Sequence, residues 1–219
     1  MCDRLPLVTV HVAVGDRDWT LTAVQNQDAL VDLLDDLEHL PYGFLLWESA
    51  VGLARYLAKS PKIVAGKKIL ELGCGVGLPG LVARSLGGSV IQTDHQSGVL
   101  ALARQNAAAN GVEGMEQVLA DWRDWRIPGK FDLVIGADIL YSREMHYHLE
   151  LIFKQSIARG GALLVADPGR PQAVEFMGTL EKAGWHIDMQ TTTVRLDHEG
   201  ADASDVEVAI MRAQFERAR

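Results

Sequence analysis

Cysteine is nearly missing from this chain: Cys2 and Cys74 are the two among 219 residues. They stand in no metal-ligand spacing and one falls inside a glycine turn, which argues against a structural disulfide and for a reducing compartment. No apolar run reaches the about eighteen residues that a membrane helix needs. Met1-Cys2-Asp3-Arg4 has neither the basic region nor the apolar run of a secretory leader. A soluble, cytoplasmic protein without a membrane partner is expected. Positive charge is scarce too: 21 Lys and Arg against 29 Asp and Glu leave a net charge of −8, and the basic residues are scattered. A polyanion needs a basic stripe, so no nucleic-acid partner is expected, and the sign suits a basic substrate better. Among the histidines, His146 and His148 are two apart on a predicted helix and cannot share a face, and His95 has no partner at ligand spacing. No metal is expected.

What the chain has in quantity is apolar residue, 48% of the total, enough for one substantial core. Within it, Ile69-Leu70-Glu71-Leu72-Gly73-Cys74-Gly75-Val76-Gly77 is the most informative stretch. A short apolar strand ends in a carboxylate and runs into a glycine-rich turn, where backbone amides can approach a ligand at the carboxyl edge of a sheet. Two cofactors compete for it, because Gly75-Val76-Gly77-Leu78-Pro79-Gly80 also satisfies the dinucleotide pattern G-x-G-x-x-G. Glu71 decides between them: a carboxylate there repels a pyrophosphate and attracts the ammonium and sulfonium groups of S-adenosylmethionine. The methyl donor is therefore the expected cofactor, with S-adenosylhomocysteine as product. Asp94 ends the next strand about 20 residues beyond the first glycine, the spacing at which a carboxylate reaches the ribose hydroxyls. A third strand, from Glu116 to Ala120, leads into Asp121-Trp122, an acceptor for the adenine amino group beside an aromatic face. The same pair reads equally as a turn cap and a core tryptophan.

Alternation from Leu7 to Val14, then Gly15-Asp16, then alternation from Trp19 to Thr22 reads as a hairpin. Asn26 can cap a helix carrying Leu30, Leu33, Leu34 and Leu37, and Pro41-Tyr42-Gly43 closes the segment. Residues 1–44 thus form an extension packed on a core of residues 45–219, within one structural domain. A helix is predicted from Trp47 to Lys59, stopped by Ser60-Pro61, and Pro79 suits the first turn of another. Helices over Ser97 to Asn110 and Met145 to Ala158 then alternate with strands over Phe131 to Ala137 and Ala162 to Ala166, and Pro171 opens a last helix that Gly184 closes. Trp185 to Leu196 and Val206 to Phe215 are β-like runs with no helix between them. The fold class is α/β: a doubly wound, seven-stranded, mostly parallel sheet ending in an antiparallel hairpin, with a small N-terminal β-hairpin and helix extension.

This order of elements resembles the seven-stranded S-adenosylmethionine-dependent methyltransferases, and in particular the family-16 protein methyltransferases. Trp47-Glu48-Ser49-Ala50 with Leu53 to Leu57 is similar to their tryptophan-led helix, Glu71 to Gly75 to their first motif, and Asp138-Ile139-Leu140-Tyr141 to their acid-x-x-tyrosine motif. The resemblance implies cofactor contacts at Trp47, Gly73, Cys74, Gly75, Asp94, Trp122 and Ala137, and a catalytic role for Asp138 and Tyr141. Asp138 would hold and orient a lysine amine while Tyr141 lines its channel. The plainer reading makes Asp138 a cap for a helix starting near Ser142 and Tyr141 a core residue. Asp167-Pro168-Gly169-Arg170-Pro171-Gln172 reads as a rigid turn feeding a helix, and also resembles a segment of the branch that methylates the electron transfer flavoprotein β subunit. On that resemblance Arg170 would meet an acidic feature of a protein substrate, although Trp47-Glu48-Ser49 replaces that branch's Trp-Pro-Gly. His95 and Glu48 could border the donor pocket but read more simply as solvated or locally bonded side chains. The implied activity is methylation of a protein side chain, foremost lysine. A small amine or heterocycle as acceptor, a silent cofactor-binding module and a dinucleotide oxidoreductase are the alternatives.

Overall fold

Strands buried on both faces read as continuous apolar runs, and the central strands of the seven-stranded sheet do so because helices cover both sides. The computed structural model describes residues 5–31, 42–198, 201 and 204–215. Chain order begins with β1 (Leu7–Val14), β2 (Arg17–Val24) and α1 (Gln27–Val31), followed by α2 (Glu48–Lys59), β3 (Lys68–Leu72), α3 (Leu78–Ser85), β4 (Ser89–Asp94), α4 (Ser97–Ala109) and β5 (Glu116–Leu119). It continues with β6 (Phe131–Ala137), α5 (Arg143–Ser156), β7 (Ile157–Asp167), α6 (Pro171–Lys182), β8 (Trp185–Val194) and β9 (Val206–Phe215). The sheet order is β5-β4-β3-β6-β7-β9-β8, with β9 antiparallel to both of its neighbours.

Alternate residues of each strand feed two apolar clusters. Ile69, Leu133, Ile135 and Leu164 join α2, α3 and α4 on one face, while Leu70, Leu72, Val134 and Leu163 join α5 and α6 on the other. The strand order reverses between β3 and β6, and the chain leaves β3 for α3 on the first face and β6 for α5 on the second. That reversal opens a crevice at the carboxyl ends of the strands.

The N-terminal hairpin is as predicted, β1 pairing with β2 around Gly15-Asp16. Its apolar face, with Val10, Val12, Trp19 and Leu21, belongs to the same cluster as α2 and α3. Its polar edge is closed by two asparagines one helical turn apart, Asn106 on α4 and Asn110 at its C-terminal cap. Asn106 accepts from the Thr22 amide at 2.8 Å and donates to its carbonyl at 3.1 Å; Asn110 does the same for Thr20 at 3.0 and 2.7 Å. The two amide side chains replace a neighbouring strand, and each bond contributes about 1 kcal/mol. Asn26 does cap α1, accepting from the Ala29 amide at 2.9 Å. Leu33, Leu34, Leu37 and Pro41 lie outside the described residues.

One boundary is corrected. The helix expected over Met145 to Ala158 runs from Arg143 to Ser156, and β7 starts at once at Ile157 rather than at Ala162. Pairing passes from Phe131 with Ile157 to Leu133 with Ala162, so β7 carries the extra residues of a bulge there. The short apolar pair before the two glycines is indistinguishable by pattern from the end of a helix.

Candidate active site

The glycine turn follows from what lies against it. After Leu72 the chain turns through Gly73 at φ +59, where a Cβ would meet Ile139 Cγ2 at 3.1 Å and Trp122 Cζ2 at 3.3 Å. Only glycine fits both the left-handed backbone and the space. The turn is then tied to the end of β4: the Cys74 amide donates to the Thr93 carbonyl at 2.9 Å and the Gly75 amide to Asp94 Oδ2 at 3.2 Å. Asp94 Oδ1 accepts from the Gln96 amide at 3.1 Å. Burial pushes the Asp94 carboxyl up from its ordinary range, and these amide bonds oppose the shift.

Gly73 and Gly75 of the turn, Asp94 after β4, Asp121 and Trp122 after β5, and Ala137, Asp138 and Tyr141 after β6 line one cleft of about 350 Å³, with Trp47 at its edge. Nine of the eleven residues expected from the sequence therefore converge. Tyr42 and Gly43 line the cleft as well and were not expected. The Tyr42 carbonyl accepts from Trp47 Nε1 at 3.1 Å, and the two rings lie 6.2 Å apart. An aromatic beside a glycine just ahead of the tryptophan helix was the available signal. Asp121 combines both of its readings: it caps the turn by accepting from the Arg123 amide at 2.9 Å and still lines the cleft. The Arg123 guanidinium beside it holds its carboxyl down at about 2. Trp122 is half-buried on the cleft wall.

Glu71 and Cys74 are the two that the cleft does not include. The Cys74 side chain is buried against Leu100 and Ala103. Glu71 lies behind the turn: Oε1 accepts from the Gly80 amide at 3.2 Å and Oε2 from Gln92 Nε2 at 2.6 Å. It thus caps α3, whose own N-terminal residue, Gly77, has no side chain to do so. The direct attraction between Glu71 and a sulfonium is therefore corrected, because the carboxyl is enclosed and its pKa is pushed by burial to about 8.

That shift predicts a pH dependence. An unfolded glutamate titrates in the ordinary carboxyl range, so the folded chain binds the extra proton between that range and about 8. The stability contributed by Glu71 is complete at acid pH and lost as pH rises through 8. Glu71→Gln turns its amide NH2 toward a donor, a constant penalty, but removes the titration. Its melting temperature relative to wild type is expected to rise from about pH 5 to about pH 8 and to level off above that. A difference that stays constant across that range contradicts the assignment.

Asp138 is the one non-glycine residue with positive φ among the described residues, at +55. Aspartate tolerates that region better than most residues, and such strain persists where the surroundings hold it. The hold is visible. The Asp138 amide donates to the Ala166 carbonyl at 2.9 Å, and Oδ1 is paired with Arg170 Nη1. The same nitrogen lies 3.0 Å from Oδ2 of the fully buried Asp167, whose Oδ1 accepts from the Arg170 amide at 2.8 Å. Burial raises the Asp138 carboxyl and Arg170 pulls it back. Asp138 does not cap α5, and Tyr141, 51% exposed at the mouth of the cleft, is no core residue. Arg170 also departs from expectation: its guanidinium is engaged by two carboxylates of its own chain rather than waiting for one from a substrate. His95 lines the cleft with its ring nitrogen 3.5 Å from Asp94. Among the described residues no three metal-binding side chains converge and no helix is long and apolar enough to cross a membrane.

A glycine turn at the switch point, a buried aspartate after β4 and an aromatic wall after β5 line the crevice where an open α/β sheet binds its ligand. The chain belongs to the lysine methyltransferase family, whose model it matches over residues 25–183. The rat electron transfer flavoprotein β-subunit lysine methyltransferase is 32% identical over 134 residues, which is 60% of this chain and 52% of that protein. A mouse histone-arginine methyltransferase is 28% identical over 77% of this chain and 68% of its own length. The chain thus spans about half the length of the first of these relatives. Magnesium protoporphyrin IX methyltransferase from Synechocystis, solved with its methyl donor bound, has the same fold: TM-score 0.58 at 18% identity, over 76% of this chain and 78% of that one.

Proposed function

We propose that this chain is an S-adenosylmethionine-dependent enzyme that methylates a lysine side chain of a protein. The observation that carries the reading is the placement of Asp138 on the same cleft as the glycine turn and Asp94, at the reversal of strand order. The residues present fit the donor: Asp94 for the ribose, Trp122 and Asp121 for the adenine, and a floor at Gly73 that a Cβ would fill. Bound there, the donor supplies an electrophilic methyl group on a positively charged sulfur. The protein's own part is to hold and orient the acceptor. Asp138 attracts the ammonium, keeps the amine hydrogen-bonded once a proton has left, and directs its lone pair into the cleft. Tyr141 and Tyr42 offer ring faces to the cation near the mouth. The net charge of −8 favours encounter with a basic protein surface. The electron transfer flavoprotein β subunit, acted on by the rat relative, is the first candidate substrate, and the cytoplasm the proposed compartment.

Tritiated S-adenosylmethionine incubated with the protein and a lysate of its own cells is expected to label protein, and acid hydrolysis to return methyl-lysine. S-adenosylhomocysteine is expected to raise the melting temperature at saturation, and nicotinamide dinucleotides to leave it unchanged. Label found only in small molecules, or stabilisation by the dinucleotide alone, defeats the reading.

A further inference from the structure

The geometry points to Arg170 as the residue that selects the acceptor: by occupying Oδ1 of Asp138 it leaves one carboxylate oxygen for substrate, a site that suits a primary amine and refuses a guanidinium. The inference rests on the methyl-transfer reading above and narrows its acceptor.

Three features support it. Arg170 Nη1 bridges Asp138 Oδ1 and Asp167 Oδ2, and its backbone amide is bonded to the same Asp167. Arg170 is therefore fixed at its backbone amide and at its guanidinium by one carboxylate that is 0% exposed. The backbone of Asp138 is held at φ +55 by its amide bond to Ala166, and turning its carboxylate to offer both oxygens would break the pair with Arg170. Oδ2 lies outside the Arg170 clamp, with the Ser49 side chain against the same carboxylate.

A lysine ammonium or amine needs a single acceptor, whereas a guanidinium binds a carboxylate best through two parallel N–H···O bonds. With one oxygen taken, the second bond is lost, and a second planar cation would be brought against Arg170 at short range. This is discrimination by an unavailable partner as much as by an attractive one. It bears directly on a chain whose relatives include one named for lysine and one named for arginine. With both carboxylates ionised, the Asp138–Arg170–Asp167 group keeps one net negative charge, so a cation is still drawn in. Arg170 acts through Asp138 and is a positioning residue.

The test uses the full chain saturated with S-adenosylhomocysteine, and n-butylammonium and n-propylguanidinium as probes of the acceptor channel, with binding read by NMR shift titration. Wild type is expected to prefer the amine by about tenfold, Arg170→Met to lose or reverse that preference, and Arg170→Lys to keep it. With Arg170 gone, the acid limb of the pH–rate profile for lysine labelling is expected to move to higher pH, since Arg170 lowers the Asp138 carboxyl. A merely structural arginine would move neither quantity. Melting shifts with S-adenosylhomocysteine identify variants that retain a folded donor site; if Arg170→Met loses it, Arg170→Gln takes its place. Equal binding of the two probes by wild type overturns the proposal, as does an unchanged ratio in the folded variant. Failure to label any protein while the amine preference stands defeats the methyl-transfer reading instead.

Discussion

Asp138→Asn is expected to reduce methyl transfer to a protein lysine by about 10²- to 10⁴-fold while leaving S-adenosylhomocysteine affinity within about twofold. Asparagine is the cleaner replacement, because it shares the tolerance of aspartate for the left-handed backbone that position 138 adopts at φ +55. Alanine there would add strain to the chemical loss. The amide keeps an oxygen for Arg170 yet removes the charge that draws an ammonium to the cleft, so the group with Arg170 and Asp167 falls from one net negative charge to neutrality. The donor side is expected to stay intact, since the glycine turn is tied to Asp94 rather than to Asp138. Single-turnover labelling and calorimetric titration measure the two effects separately. Collapse of S-adenosylhomocysteine binding would place Asp138 in the donor site and overturn its assignment.

Gly80→Ala is expected to destabilise the fold by about 3 kcal/mol, roughly 10 °C in melting temperature for a chain of this size. A Cβ at Gly80 would fall well inside contact distance of Glu71 Oε2 and 2.5 Å from Gln92 Nε2. Neither neighbour can retreat. Glu71 is bonded to the Gly80 amide and to Gln92, and Gln92 Nε2 also donates to the Gly77 carbonyl at 2.9 Å. The same network sets the glycine turn, so affinity for S-adenosylhomocysteine should fall together with stability. Thermal melts with and without the ligand test both, and a variant melting within about 2 °C of wild type would show that α3 shifts freely, against the account given of Glu71.

The alternation of strand and helix was legible because the central strands carry apolar residues on both faces and each helix repeats them at its own period. The terminal hairpin was legible because no helical spacing separates Trp185 to Val194 from Val206 to Phe215. Glu71 was misread, although the means to place it were present. Side chains alternate along a strand, so Glu71 shares a face with Ile69, whose cluster contains α3, and not with Leu70 and Leu72 on the other side. In register it stands beside Gln92, the amide that bonds it. The Arg170 clamp had only half of such a signal. Its link to Asp167 is local, three residues apart, but its link to Asp138 spans 32 and depends on β6 and β7 lying side by side. Tyr42 and Gly43 reach the cleft by tertiary packing that no periodicity encodes.

The position of β9 between β7 and β8 has a further consequence for how the molecule is made. A ribosome delivers β8 before the strand that must separate it from β7, so until residues 206–215 emerge, β8 has no hydrogen-bonding neighbour and the edge of β7 is bare. Pairing at that end of the sheet waits on synthesis of the last strand, while the glycine turn and Asp94, formed from residues before 100, are translated far earlier. Nascent chains stalled just short of residue 206 are therefore expected to pair with one another through β7 and to depend on chaperones in a way that the finished protein does not.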